Sequence, residues 1–191
     1  MSKRRLVCEN SRFSVFFDEI ASGGRTAARD YLVVAPKRAS NSGTTGVAVL
    51  PVVDGRIGLI RTYRHAVACE SWEIPRGFIE DGEADAVSAV RELEEETGLS
   101  CSLRNIRSLG FVVPDAGVLA ARVHLFSASK CFRSRPFRTA EWGHREFSLF
   151  DLATLRKMVA CSKIQDPCTL IAYYKFLYPG RAPRKKERMK S

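Results

Sequence analysis

The spacing of apolar and polar positions divides the chain into elements before any residue is given a role. Residues 12–20 and 31–36 are rich in β-branched and aromatic side chains and flank Gly23-Gly24, which predicts two strands around a turn. A polar Ser/Asn/Gly stretch at 39–45 follows. Two apolar runs, 46–53 and 57–63, then flank Asp54-Gly55, a dipeptide suited to a tight hairpin turn with positive φ at both residues. From residue 84 the period changes from 2 to 3.6. Ala86, Val90 and Leu93 recur at i, i+4 and i+7 with Ala89 beside them, and Gly98 stands where a helix over 84–97 would stop. Further strands are predicted over 106–113, 122–129 and 145–150, and a short helix over 152–160. A last helix begins at Asp166-Pro167, Asp as cap and Pro in the first turn, and runs to Leu177. Strands enclosing one central helix, with two helices at the end, predict an α/β chain: a mixed sheet with helices packed on its faces.

Composition narrows the class. With 191 residues, 45% of them hydrophobic, the chain can bury a core without disulfides or a structural metal. No apolar run approaches the roughly 18 residues of a membrane span, and no leader-like apolar segment follows the basic start. The six cysteines are scattered without C-x-x-C spacing, so they read as reduced, semi-buried fillers of a soluble, cytoplasmic protein.

The net charge of +10 invites a nucleic-acid reading, but its distribution argues against one. Residues 179–191 carry +5 and the first five residues +3, which leaves +2 for the body. Basic ends around a nearly neutral body read as solvated tails with at most a weak RNA or acidic-surface contact. The expected organisation is an N-terminal β-strand extension over 1–40, a main domain over 41–178 and a basic tail over 179–191.

The chemistry concentrates in residues 77–99. Glu92, Glu95 and Glu96 stand at i, i+3 and i+4 of the predicted helix and so emerge on one face. Like charges at that spacing weaken a helix unless a cation neutralises them. Carboxylate oxygens are hard ligands that suit Mg²⁺ or Mn²⁺, and Mg²⁺ ordinarily keeps positions for water and phosphate oxygens. Arg91 is placed to pair with Glu95 or reach back to Glu83 and hold carboxylate rotamers.

The segment matches G-x5-E-x7-R-E-U-x-E-E-x-G-U, with U apolar, at Gly77, Glu83, Arg91, Glu92, Leu93, Glu95, Glu96, Gly98 and Leu99. A chance match in this chain is on the order of 10⁻⁷ at ordinary residue frequencies. In this the chain resembles the Nudix hydrolase family. The resemblance implies an α/β/α sandwich around a mixed sheet and Mg²⁺-dependent hydrolysis of nucleoside diphosphates linked to another moiety. It further implies Glu92 and Glu96 as main metal ligands, Glu95 as a third, the Arg76 carbonyl as another, and Glu83–Arg91 as a structural ion pair.

Flanking residues are similar to the ADP-ribose pyrophosphatase subgroup: Tyr63-Arg64 ending a strand, Glu73-Ile-Pro-Arg-Gly77 leading into the box, and Pro114 sixteen residues after Gly98. Thr62, Arg76 and Ala120-Ala121 depart from the subgroup, which has Gln, Ala and an acidic residue there. The resemblance implies cleavage of ADP-ribose to AMP and ribose 5-phosphate, with Arg61, Arg64, Glu73 and Pro114 toward substrate and Glu141 as catalytic base on a loop, ahead of Glu146. His144 is a candidate phosphate contact. Trp72 and Trp142 either stack on the base or pack in the core. It also implies a homodimer formed through the N-terminal strands. Three readings compete: another dinucleotide or sugar-nucleotide substrate, a triphosphate or RNA-end substrate, and a nucleotide sensor without turnover.

Overall fold

The structure, a computed structural model, describes residues 3–138 and 142–179. Its elements are β1 (Lys3–Glu9), β2 (Phe13–Ser22), β3 (Arg25–Pro36), β4 (Gly46–Val53), β5 (Arg56–Arg64), β6 (Cys69–Glu73), β7 (Arg76–Phe78), α1 (Asp85–Thr97), β8 (Leu99–Ser100), β9 (Ile106–Val112), β10 (Val123–Ala128), β11 (Phe132–Arg133), β12 (His144–Phe150), α2 (Leu152–Ala160) and α3 (Pro167–Leu177).

The run without a polar residue, β4, is the centre of the main sheet, whose order is β12-β5-β4-β10-β9 with β6 on β5 and β7 on β4. Its side chains alternate between two cores, as a strand covered on both faces requires. Val47 and Val49 meet Ala89 and Leu93 of α1, while Ala48 and Leu50 meet Leu155 and Met158 of α2 and Cys168 and Ala172 of α3. Because β4 runs parallel to β10 and the other neighbours pair antiparallel, the sheet is mixed. This is the predicted α/β architecture of helices on both faces of a mixed sheet.

The turn at Asp54-Gly55 forms with φ of 48° and 74°. Its strands stay together only at Val52↔Ile57 and Val53↔Arg56. Beyond that point β5 turns to β6 and β12, while β4 takes β7 and Val49 N–H donates to Pro75 O at 2.9 Å. The parting strands make room for the segment that leads into α1. Strands β6 and β7 were not predicted, because Cys69–Glu73 is mostly polar and Arg76–Phe78 is only three residues long.

Residues 3–9 are a paired strand and not a solvated tail. Lys3–Glu9 pairs with β2, and each basic residue finds an acidic or aromatic neighbour: Lys3 lies opposite Glu19, and Arg4 grips the buried Asp18 at 2.7 Å and covers the Phe16 ring. Strands β1–β3 form a separate sheet anchored to the loop after β9. Val34 N–H donates to Val118 O at 2.8 Å, Ala120 N–H to Val34 O at 2.9 Å, and the Tyr31 hydroxyl to Gly117 O at 2.7 Å. The expected basic tail lies outside the described residues from 180 onward. Among the described residues no helix is long and apolar enough to cross a membrane.

Candidate functional site

Helix α1 is held at both ends before its carboxylates are considered. At its start, Asp85 Oδ2 accepts from Thr44 Oγ1 at 3.0 Å and lies 2.8 Å from His124 Nδ1, whose Nε2 is 2.8 Å from Ser108 Oγ. At its end Gly98 takes φ of 71°, a conformation cheap only for glycine. Gly98 O accepts from the N–H groups of Ser134 and Arg135. Ala89 and Leu93 pin the opposite face to the sheet with no exposed surface.

On the remaining face the three glutamates divide. Glu92 and Glu96, one turn apart, are each only 5% exposed, whereas Glu95 stands on the rim with half its side chain in solvent. The chain leading into α1 passes directly over Glu92: a Cβ on Gly77 would lie 2.1 Å from the Glu92 carboxyl carbon. Glu96 Oε2 accepts from Arg76 N–H at 2.9 Å, and Glu96 Oε1 lies 3.6 Å from His144 Nε2. Sequence reading set His144 near a loop; β12 starts at this residue and buries it against Glu96.

Arg91 ties the face together. Its guanidinium donates to Glu83 at 3.0 Å, Glu92 at 2.7 Å, Glu95 at 3.2 Å and Phe78 O at 3.1 Å. The hydrogen bond from Arg91, helped by one from Ser88, holds the Glu83 carboxyl below its usual range. The same bond to Glu83, with Glu92 added, holds Arg91 above its own.

A second network was missed in the sequence. Glu73, 3% exposed, accepts from Arg64 and from Arg76 at 2.8 Å, and Arg76 reaches on to Asp166, the cap of α3, at 2.7 Å. Burial alone would lower the Arg76 pKa, but Asp166 and Glu73 outweigh it and leave it raised. The signal was present in Arg76, where the subgroup has Ala: an arginine in an apolar strand end needs buried acidic partners.

Part of each network borders a cavity of about 730 Å³. One wall is the box, with Arg76, Gly77, Phe78, Arg91, Glu92 and Glu95. The other is the N-terminal sheet and the segment after it, with Ser11, Arg12, Lys37 and Arg38, and β5 adds Arg64. Arg12 sits 5.1 Å above the Phe78 ring, which Phe13 meets edge-on at 5.6 Å. Six basic residues line the cavity against Glu80, Glu92 and Glu95. The sequence reading, which assigned the N-terminal strands to dimerisation alone, missed this wall.

Other expected site residues stand elsewhere. Arg61 is not among the cavity's lining and pairs with Glu146 at 3.3 Å and Glu70 at 3.7 Å. Pro114 stands in the loop after β9, also outside the lining. Glu73 faces two guanidinium groups, so its carboxylate is already engaged. Glu141 lies outside the described residues. Trp72 packs edge-on against Phe150 beside the core, and Trp142 is 73% exposed against Tyr63 and His65.

With this geometry in place, comparison with known proteins is informative. The NUDIX domain model matches residues 44–163, well over half the chain. The chain belongs to the Nudix family. That Nudix region includes the whole box, the parted hairpin and the start of β12, while the Arg12 and Lys37 wall lies before it. Over 125 residues the chain is 34% identical to the CMP-5'-(N-acetyl-N-hydroxy-3-aminopropyl)phosphonate hydrolase of Streptomyces rubellomurinus, covering 64% of this chain and 55% of that protein. It is 35% identical over 85 residues to the ADP-ribose pyrophosphatase of Bacillus subtilis, covering 44% and 45%. Against the ADP-sugar pyrophosphatase of Mus musculus it is 42% identical over 57 residues, 27% and 26%. The matched stretches thus span about half or less of these relatives' own length. A crystal structure of an ADP compounds hydrolase superposes with a TM-score of 0.73 over 92% of this chain and 90% of the other. At 18% identity that likeness is one of fold.

Proposed function

We propose that this Nudix protein hydrolyses the pyrophosphate link of a nucleoside diphosphate derivative in a Mg²⁺-dependent reaction, with ADP-ribose cleaved to AMP and ribose 5-phosphate. One observation carries the reading: the buried Glu92 and the rim residue Glu95 line a cavity whose other wall is basic, with a second buried carboxylate, Glu96, one turn along the same helix. Burying two carboxylates one turn apart is costly unless cations or donors answer them.

The residues fit a hard divalent cation. Their donors are carboxylate oxygens, and Gly77 leaves the space over Glu92 that a side chain would fill. Among the described residues no three His, Cys, Asp or Glu side chains are gathered closely enough to hold a metal ion by themselves, and Mg²⁺ in phosphate sites ordinarily keeps water and phosphate oxygens among its ligands. Glu92 and Glu96 would hold the ion, with Glu95 and the Arg76 carbonyl beside them. When bound, it supplies charge neutralisation and acidifies the attacking water.

The chain's own groups do the rest. Arg12, Lys37, Arg38 and Arg64 match the diphosphate oxygens and orient the substrate, Arg in particular by its planar fork. His144 and the Arg76 N–H hold Glu96 in one orientation. Water adds to one phosphorus as the bond from that phosphorus to the bridging oxygen breaks, and both products leave as monophosphates. Glu141 is the proposed base. The exposed Leu6, Val7, Tyr31 and Leu32 of the N-terminal sheet support a homodimer formed there.

The Streptomyces relative favours a second reading, in which the diphosphate-like link joins a cytidine nucleotide to a phosphonate. Phosphatase-coupled phosphate release separates the two. ADP-ribose, NADH, GDP-mannose, diadenosine polyphosphates, nucleoside triphosphates and CMP-phosphonate anhydrides are assayed with and without Mg²⁺. ADP-ribose turnover abolished by Glu96→Gln supports the first reading, and turnover of another member replaces the substrate but keeps the class. Tight nucleotide binding without turnover of any of them overturns the enzyme.

A further inference from the structure

Beyond the cavity, the far end of α1 carries a pair of nucleophiles that the hydrolytic chemistry does not use. The chain leaves Gly98 directly into β8, which pairs antiparallel with β11: Arg133 opposite Leu99 and Phe132 opposite Ser100. One step further in that register, Cys131 stands opposite Cys101. Both pack in the core beneath α1, with Cys101 6% exposed and Cys131 half-buried. Directly opposed side chains in an antiparallel pair have Cβ atoms about 4.5–5.5 Å apart, and a disulfide asks for about 3.5–4.5 Å, so the strands need close only slightly.

Each thiol also shifts the other: the neighbouring Cys131 holds the Cys101 thiol below its ordinary range, and Cys101 together with burial pushes Cys131 up, while Cys131 Sγ donates to Ala128 O at 3.3 Å. A thiol lowered in this way carries a larger thiolate fraction than an isolated buried one. None of the other four has a cysteine in register: Cys8 and Cys161 are exposed, Cys69 is partly buried in β6 opposite Arg64, and Cys168 is buried with its pKa raised by that burial to about 11.

The geometry points to Cys101 and Cys131 as a covalent modification site, a dithiol that a small disulfide such as glutathione disulfide converts to an intramolecular disulfide. The sulfur reached first, as thiolate, attacks one sulfur of the reagent and expels one glutathione thiolate. The second cysteine loses its proton, attacks the mixed disulfide and expels the other. Two cysteine thiols are oxidised and one glutathione disulfide is reduced to two thiols. The new bond ties the strand leaving α1 to the strand that precedes Ser134 and Arg135, whose N–H groups hold Gly98 O at 2.9 and 3.2 Å. Oxidation therefore fastens the C-terminal end of the carboxylate helix.

This site is independent of which substrate the cavity takes, and its test does not use activity. The full chain, with its circular dichroism unchanged, is treated with glutathione disulfide, alkylated, digested without reduction and analysed by mass spectrometry. The expected product is a peptide pair joined through Cys101 and Cys131, two hydrogens lighter than the separate peptides and released by dithiothreitol. In Cys131→Ser that pair is lost while Cys8 and Cys161 still take up glutathione. Recovery of Cys101 and Cys131 as alkylated thiols, or each with its own glutathione, in wild-type protein whose Cys8 and Cys161 have reacted overturns the proposal.

Discussion

The two walls of the cavity hold their charges in opposite ways. On and behind the box wall the buried charges are committed: Arg91 serves four acceptors, Glu73 accepts from two arginines, and Arg76 spans Glu73 and Asp166. Most of these groups are buried or half-buried, where a charge without a partner is expensive. On the N-terminal wall Arg38 meets the exposed Asp81 at 3.7 Å, Lys37 meets the half-exposed Glu9 at 3.0 Å, and Arg12 lies over an aromatic ring. Surface pairs of that kind contribute about 0–1 kcal/mol and are easily exchanged for another anion. The difference separates a wall built to hold one geometry from a wall suited to receive a changing ligand.

Damage to the first wall should therefore abolish turnover, and damage to the second should weaken substrate binding. The largest effect is expected from Glu96→Gln, which keeps the shape and removes the charge. The turnover number on ADP-ribose with Mg²⁺ should fall by about 10²–10³ or more while circular dichroism stays unchanged. A drop below tenfold would take Glu96 out of the machinery. Gly77→Ala comes next, since its methyl group would overlap the Glu92 carboxylate. Overpacking of that kind costs about 1–3 kcal/mol in a denaturant melt, and activity should fall with it.

Arg12→Glu tests the other wall. KM should rise about tenfold and become more sensitive to salt, with kcat within about twofold; a lost kcat with unchanged KM would reverse the assignment of the walls. A smaller effect concerns Glu83. Its folded-state pKa is depressed by Arg91, so its contribution is present above the ordinary carboxylate pKa and is lost as pH falls through the lowered value. Glu83→Gln should be about 1–2 kcal/mol less stable at neutral pH. The gap to wild type should close as acid protonates the wild-type carboxylate, and a gap that persists unchanged at low pH would rule out the charge as its source. The smallest change is Tyr31→Phe, which loses one exposed hydrogen bond to Gly117 O and about 0.5 kcal/mol in the same melt.

Much of the first wall was legible from residue spacing, because its logic is local. The i, i+3, i+4 carboxylates, the apolar stripe of Ala89 and Leu93 and the stop at Gly98 all lie within one helix. The β4–β5 turn was legible for the same reason, and the parting of its strands was not, since it depends on Pro75 arriving beside Val49. Arg12 and Lys37 were unreadable as cavity residues: nothing near them in sequence says that Phe78 will pack against Phe13. Likewise, Lys3 to Arg5 read as a loose basic start until Asp18 and Glu19 were brought across from β2. Glu73 and Arg61, both expected toward substrate, are held in ion pairs with Arg64 and Arg76 and with Glu70 and Glu146, which the apolar pattern does not encode.

The anchoring of β3 to the loop after β9 has a consequence in time. Val34 meets Val118 across 84 positions of chain, and contacts of such separation form late because a long loop must close first. During synthesis the three N-terminal strands emerge early, yet the carbonyl and amide groups that seat them are made only about eighty residues later. For that interval the sheet lacks the partners of Val34 and Tyr31 that seat it on the loop. Its own hairpin bonds and the Arg4–Asp18 grip must hold it until the loop arrives, so the newborn chain is most exposed to misassociation until about twenty residues beyond α1 have been made.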